Sequence, residues 1–147
     1  MLVRCLYASR ATPPAASPAP SETCLDGILK QSRKNNPAHG ITGMLCYAND
    51  IFVQIIEGGR AEVGQLLTNL FKDPRHAGLQ ILSFEEIAER SFGHWTMGQV
   101  KISNINPALL LKYSERAELN PFACSGAQML ALLCEIAASG AIANRSL

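Results

Sequence analysis

Apolar residues in this 147-residue chain follow two rhythms, a period near two or continuous runs, and a period of three to four. Residues 2–7 read as a short strand. Ser21 is placed to cap a helix that runs to Asn35 or Asn36, because Pro37 disfavours helical backbone in the residue before it. In that helix Leu25, Ile28, Leu29, Ser32 and Asn36 share one stripe, which starts apolar and ends polar. "GITGMLCY" and "DIFVQIIEG" read as a hairpin turning at Ala48, Asn49 and Asp50. Arg60 to Lys72 has helical spacing through Val63, Leu66, Leu67, Leu70 and Phe71, and Asp73-Pro74 breaks it. Residues 75–78 read as loop, and strands follow near 79–87 and 95–102. A short helix at 107–113 and a longer one at 122–139 close the chain. The longer one carries Met129, Leu132, Leu133 and Ile136 on one stripe.

The order β-α-β-β-α-β-β predicts an α+β fold, a ferredoxin-like sheet with two helices on one face. The C-terminal helices then cover the other face or form a subunit interface. This divides the chain into residues 1–102 and a helical extension, 103–147. Residues 122–143 are apolar enough to test as a membrane span. They are rich in Ala, Gly and Ser, and Gln128 and Glu135 stand opposite the apolar stripe, so the segment reads as sheet cover. "ATPPAASPAP" (11–20) reads as a linker without regular structure.

Composition narrows the function classes. Hydrophobic residues are 48% and charged residues 17%, as in a well-buried globular domain. A net charge of +1 gives no electrostatic footprint for nucleic acid. Five cysteines without a CxxC pair argue against zinc and, with no export signal, for a reducing cytoplasmic setting.

Gln54 stands inside an apolar strand, on one face with Phe52 and Ile56. A buried amide needs partners for both its ends. In the predicted sheet the first strand and the hairpin's second strand are neighbours, so the Tyr7 hydroxyl can meet Gln54. Ser32 and Asn36 lie at the polar end of the first helix, and Trp95 and Met97 share a face of the last strand. Singly, each has a structural role: a satisfied core tyrosine, a helix stop, a core indole. Together they converge on one layer suited to a guest with polar edges and apolar faces.

These residues carry a family likeness. "LYASR" (6–10), "QSRKNNPAHGITGML" (31–45), "FVQIIEG" (52–58), "DPRH" (73–76) and "RSFGHWTMG" (90–98) resemble the motifs of the BLUF domain, the flavin-binding blue-light sensor. They run in family order over roughly residues 1–102; the linker looks longer than usual, and the rest matches only the helical tail of short members without an effector domain. The resemblance implies FAD between the two helices; the residues alone do not separate FAD from FMN. It implies Tyr7 as electron and proton donor and Gln54 as the bridge between the tyrosine and the flavin edge. Asn36 binds the pyrimidine edge, and Ile28 and Phe52 pack on the ring. Ser32 lines the Gln54 pocket with Trp95 or Met97. Asp73, Arg75 and His76 lie near the ribityl and phosphate chain, with Arg75 on the phosphates.

The resemblance further implies a blue-light photoreceptor rather than an enzyme. Rotation or tautomerisation of Gln54 passes its signal through the Trp95/Met97 strand and the C-terminal helices to a downstream signalling protein. The chain is then a cytoplasmic homo-oligomer with neither nucleic acid nor membrane as partner. Two other readings compete: a ligand-binding module without a light role, and an acylphosphatase-like enzyme. The enzyme fares worst, since the prolines of "SRATPPAASPAP" remove backbone donors that a phosphate cradle needs.

Overall fold

The computed structural model describes residues 1–12, 20–94 and 97–139, with the side chains of 20–26 and 29 outside that description. Five strands form one sheet: β1 (Leu2–Ala11), β2 (Thr42–Ala48), β3 (Ile51–Gly59), β4 (His76–Ile87) and β5 (Gly98–Lys101). Their order is β4-β1-β3-β2-β5; β2 and β5 are parallel and the other pairs antiparallel. Among the described residues four α-helices accompany them: α1 (Pro20–His39), α2 (Arg60–Lys72), α3 (Pro107–Tyr113) and α4 (Gly126–Ala138). The predicted element order and ferredoxin-like sheet are both present.

β2 and β3 join through Asn49 (φ 50°) and Asp50 (φ 63°), with Ala48 paired to Ile51. Two consecutive positive φ angles make the tight turn that matches strand twist, and Asn and Asp tolerate it best after glycine. Both faces of the sheet are covered, which explains why β3 is apolar almost throughout. On one face Val3, Cys5, Tyr7 and Ile56 pack against Val63 and Leu67 of α2. Beside them Ile28 of α1 packs with Leu45, Phe52 and Met97. On the other face Leu6, Met44, Val53 and Ile55 pack with Leu110 of α3 and Met129, Leu132, Leu133 and Ile136 of α4. Among the described residues no helix is long and apolar enough to cross a membrane.

Several boundaries differ from expectation. α1 begins at Pro20, ahead of the expected Ser21 cap, and continues through Pro37 to His39. The stop is Gly40 (φ +65°). The Gly40 N–H donates to the Pro37 carbonyl at 3.4 Å and the Ile41 N–H to the Asn36 carbonyl at 3.0 Å. This is a Schellman pair, and so near the helix end the proline forfeits little. β4 starts at His76 rather than Leu79. β1 runs on to Ala11, which pairs His76, and Gly78 (φ +59°) absorbs the register shift there. β5 is only four residues long because its ladder is β2 from Met44 to Tyr47; Met97 precedes it. α4 starts at Gly126, fixed by a capping box between Ser125 and Gln128, and residues 121–123 form a separate 3-10 turn. Phe71, expected on the buried stripe of α2, is exposed. The 13–19 stretch of the linker and Trp95 lie outside the described residues.

Candidate functional site

Tyr7 of β1 and Gln54 of β3 are directly opposite in the antiparallel ladder. A shared face and adjacent strands bring their side chains together. The Tyr7 hydroxyl donates to Gln54 Oε1. Gln54 Nε2 in turn donates to Met97 Sδ at 3.1 Å. All three side chains are buried. Burial pushes the Tyr7 phenol well above its ordinary range, with the nearby Cys5 and Asp73 adding to the shift, so it stays protonated. Met97 is wholly buried against Ile28, Leu45 and Phe52, and Trp95 lies outside the described residues.

Above Gln54 a cleft of about 380 Å³ opens between α1 and α2. Ile28, Ser32 and Asn36 line it from α1, Leu66 and Leu70 from α2, and Asp73 and Arg75 from the end of α2. The polar-ending stripe of α1 thus faces the cleft. His39 and Glu62 meet across it at 3.1 Å. Tyr7, Phe52, His76 and Met97 form a layer beneath. The His76 ring lies 5.4 Å from Phe52 and 6.2 Å, edge-on, from Tyr7. Its Nδ1 shares a hydrogen bond of 2.7 Å with Ser9 Oγ, while its buried Nε2 has no partner. Burial lowers the His76 pKa, with Asp73 opposing and Arg75 assisting.

Arg75 is folded onto Asp73 through Nε at 3.0 Å and Nη2 at 2.6 Å, and it also donates to Gln31 Oε1 at 2.6 Å. Burial works against ionisation of the Asp73 carboxyl, but the hydrogen bonds and charge of Arg75 outweigh it and hold the pKa below the ordinary value. The cleft therefore combines apolar walls, amide and hydroxyl edges, and a guanidinium at one end. A planar heteroaromatic with a phosphate tail fits that donor set, and an unpartnered buried nitrogen on the same layer is a further group such a guest can satisfy.

The profile of BLUF, described as sensors of blue light using FAD, matches residues 2–98. The chain belongs to the BLUF family. BLUF domains bind flavin. The photoactivated adenylate cyclase subunit beta of Euglena longa is 33% identical over 92 residues, 62% of this chain and 10% of that protein. Subunit alpha of Euglena gracilis is 30% identical over 110 residues, 74% of this chain and again 10% of the relative. The chain thus spans about a tenth of the length of these relatives. Among solved structures, BlsA in its photo-activated state superposes with a TM-score of 0.82 at 30% identity, covering 100% of this chain and 99% of that one. The BLUF protein BlrB in its dark state gives 0.76 at 33%, covering 94% and 96%.

Within the BLUF domain two features escaped sequence reasoning. Glu57, near the end of β3, is fully enclosed and bonds Arg4 at 2.8 Å. It also accepts the main-chain N–H groups of Ser91 at 3.0 Å and Phe92 at 2.5 Å. It therefore anchors the stretch that leads towards Met97. The other is Arg33 of α1, whose Nε and Nη2 lie 3.4 Å and 3.3 Å from the main-chain carbonyl of Met97. Glu57 is, like Gln54, a polar group in an apolar strand, but the two glycines after it make it read as a strand end. Arg33 carried no such signal.

Proposed function

We propose that this BLUF domain switches through Tyr7, Gln54 and Met97, holds FAD in the cleft between α1 and α2, and reports to a protein partner through its C-terminal helices. The observation that carries this reading is the continuous buried chain from the Tyr7 hydroxyl through both ends of the Gln54 amide to the Met97 sulfur. Asn36 anchors the pyrimidine edge, Ser32 sits beside it, and Ile28 and Phe52 pack on the ring. Asp73, Arg75 and His76 serve the ribityl and phosphate end; Arg75 favours the diphosphate of FAD, for which it exchanges part of its hold on Asp73. Trp95 stays a candidate for the wall of the Gln54 pocket.

A bound flavin supplies blue-light absorption and a strongly oxidising excited state. Tyr7 is an oxidisable group within the layer that can also release a proton, and that proton already points at Gln54 Oε1. Release of that proton changes what Oε1 must do. Rotation of the amide sets Oε1 against Sδ, two acceptors facing each other, whereas tautomerisation turns Oε1 into a donor. Either change alters what holds Met97. The site is dry, so an amide left without partners costs about 1–3 kcal/mol, enough to bias a two-state element.

The route outwards is supported by the path of the chain. Phe92 belongs to the core shared with α3 and α4, and Met97 to the core beneath the cleft. Phe92 and Met97, close in the chain, therefore belong to opposite faces of the sheet. We assign residues 2–98 the sensing role and the helices after them the output role, with a reducing cytoplasmic setting and a homo-oligomer as the working form.

The test is spectral. The purified, flavin-loaded protein shifts its blue absorption slightly to the red on illumination and recovers in the dark. Tyr7→Phe and Gln54→Leu keep the flavin and lose the shift. A normal photocycle in either variant refutes the switch assigned here, and a chain that cannot be loaded with any flavin refutes the cleft.

A further inference from the structure

We propose that Arg33 is a positioning residue that latches Met97 to α1, so that the methionine is held at two points and returns to one seat after each switching event. The proposal rests on the Tyr7–Gln54–Met97 reading and adds to it a second attachment on the main chain.

The Met97 side chain is gripped by Gln54 Nε2 at 3.1 Å. Its carbonyl receives Nε and Nη2 of Arg33 at 3.4 Å and 3.3 Å, a forked contact at the long end of hydrogen bonding. The two grips come from different elements: Gln54 from the middle of the sheet, and Arg33 from the helix that carries Ser32 and Asn36 into the cleft. A guanidinium suits the task because its planar fork presents two N–H groups to a single carbonyl, which an ammonium on a flexible stem does not. Arg33 is half-buried, and its partial burial lowers its pKa from the ordinary range; a guanidinium nonetheless stays charged at neutral pH.

The consequence is asymmetric. Gln54 can release the sulfur when its amide rearranges, but nothing in that event touches the Arg33 contact. The latch keeps the Met97 main chain beside α1 while its side chain is free, which shortens the way back. Upstream, Glu57 pins the main chain at Ser91 and Phe92.

The experiment uses flavin-loaded protein with 13C-methyl methionine. The chain has four methionines, so a Met97→Leu spectrum assigns the Met97 peak. In Arg33→Gln the flavin and its red shift are retained, the dark Met97 methyl peak broadens or doubles, and dark recovery slows roughly fivefold, as expected for loss of one modest hydrogen bond. Arg33→Lys, which keeps the charge and one donor, recovers part of both properties. An Arg33→Gln protein with an unchanged Met97 peak and an unchanged recovery overturns the latch. So does loss of flavin in both variants, which makes Arg33 part of the flavin site. A wild-type protein without a red shift removes the switching role of Gln54 instead, and the dark Met97 spectrum of Arg33→Gln still decides the latch.

Discussion

Tyr7 sits opposite Gln54 in a core that also encloses two thiols, and burial acts on all three titratable groups in the same direction. It pushes Cys5 and Cys46 from an ordinary 9.0 up to about 12, and the Tyr7 phenol above its ordinary range. The folded chain therefore keeps protons that the unfolded chain releases in alkali. Stability is at its full value below pH 9 and falls as the pH climbs towards 12, by roughly 1 kcal/mol per thiol at pH 10. Urea unfolding between pH 8 and 11 measures this, and a Cys5→Val, Cys46→Val double variant flattens the slope. Glu57 offers a second test at this scale. Glu57→Gln leaves the Arg4 guanidinium beside a neutral amide and weakens the acceptors for two main-chain N–H groups, and should cost about 3 kcal/mol in urea unfolding. Such single residues were unequally legible. Gln54 stands out because an amide among Phe52, Val53, Ile55 and Ile56 demands explanation. Glu57 breaks the same rule, yet it precedes Gly58-Gly59 and so reads as the end of a strand. Arg33 was invisible, because its partner is a main-chain carbonyl 64 positions away and any residue supplies one of those.

Elements were read best where their signals are local. α2 and α3 have the bounds that spacing predicts, because one ends at Asp73-Pro74 and the other starts at Pro107. The misplaced ends belong to elements whose limits are set by distant partners: β4 lengthens because β1 offers it Ala11, and β5 is confined to the residues that pair with Met44 to Tyr47 of β2. Glycines carry two further element-scale consequences. Gly40 terminates α1 with φ +65°, and an added Cβ meets nothing closer than 3.8 Å, so Gly40→Ala loses about 1 kcal/mol by backbone strain alone. Gly126, by contrast, begins α4 pressed against β4, where a Cβ would lie 2.4 Å from the Leu82 carbonyl oxygen. Gly126→Ala must push α4 away from the sheet and should cost about 1–3 kcal/mol, with faster amide exchange in α4 than in α2.

At the scale of the whole molecule the sheet divides the core into two layers, with Phe92 in one and Met97 in the other. Hydrogen exchange in the dark and under blue light tests whether they act together. Illumination should raise exchange at residues 90–94 and in α4 while leaving α2 unchanged. The contact between Gln54 and Met97 also sets a ceiling. Through it the pocket can transmit no more free energy than that contact is worth. An amide–sulfur contact near 1 kcal/mol is about a fivefold bias in any binding equilibrium read by α3 and α4. Each molecule is thus a soft dimmer rather than an on–off relay, and a steep response to light requires several copies to be counted by one receiver.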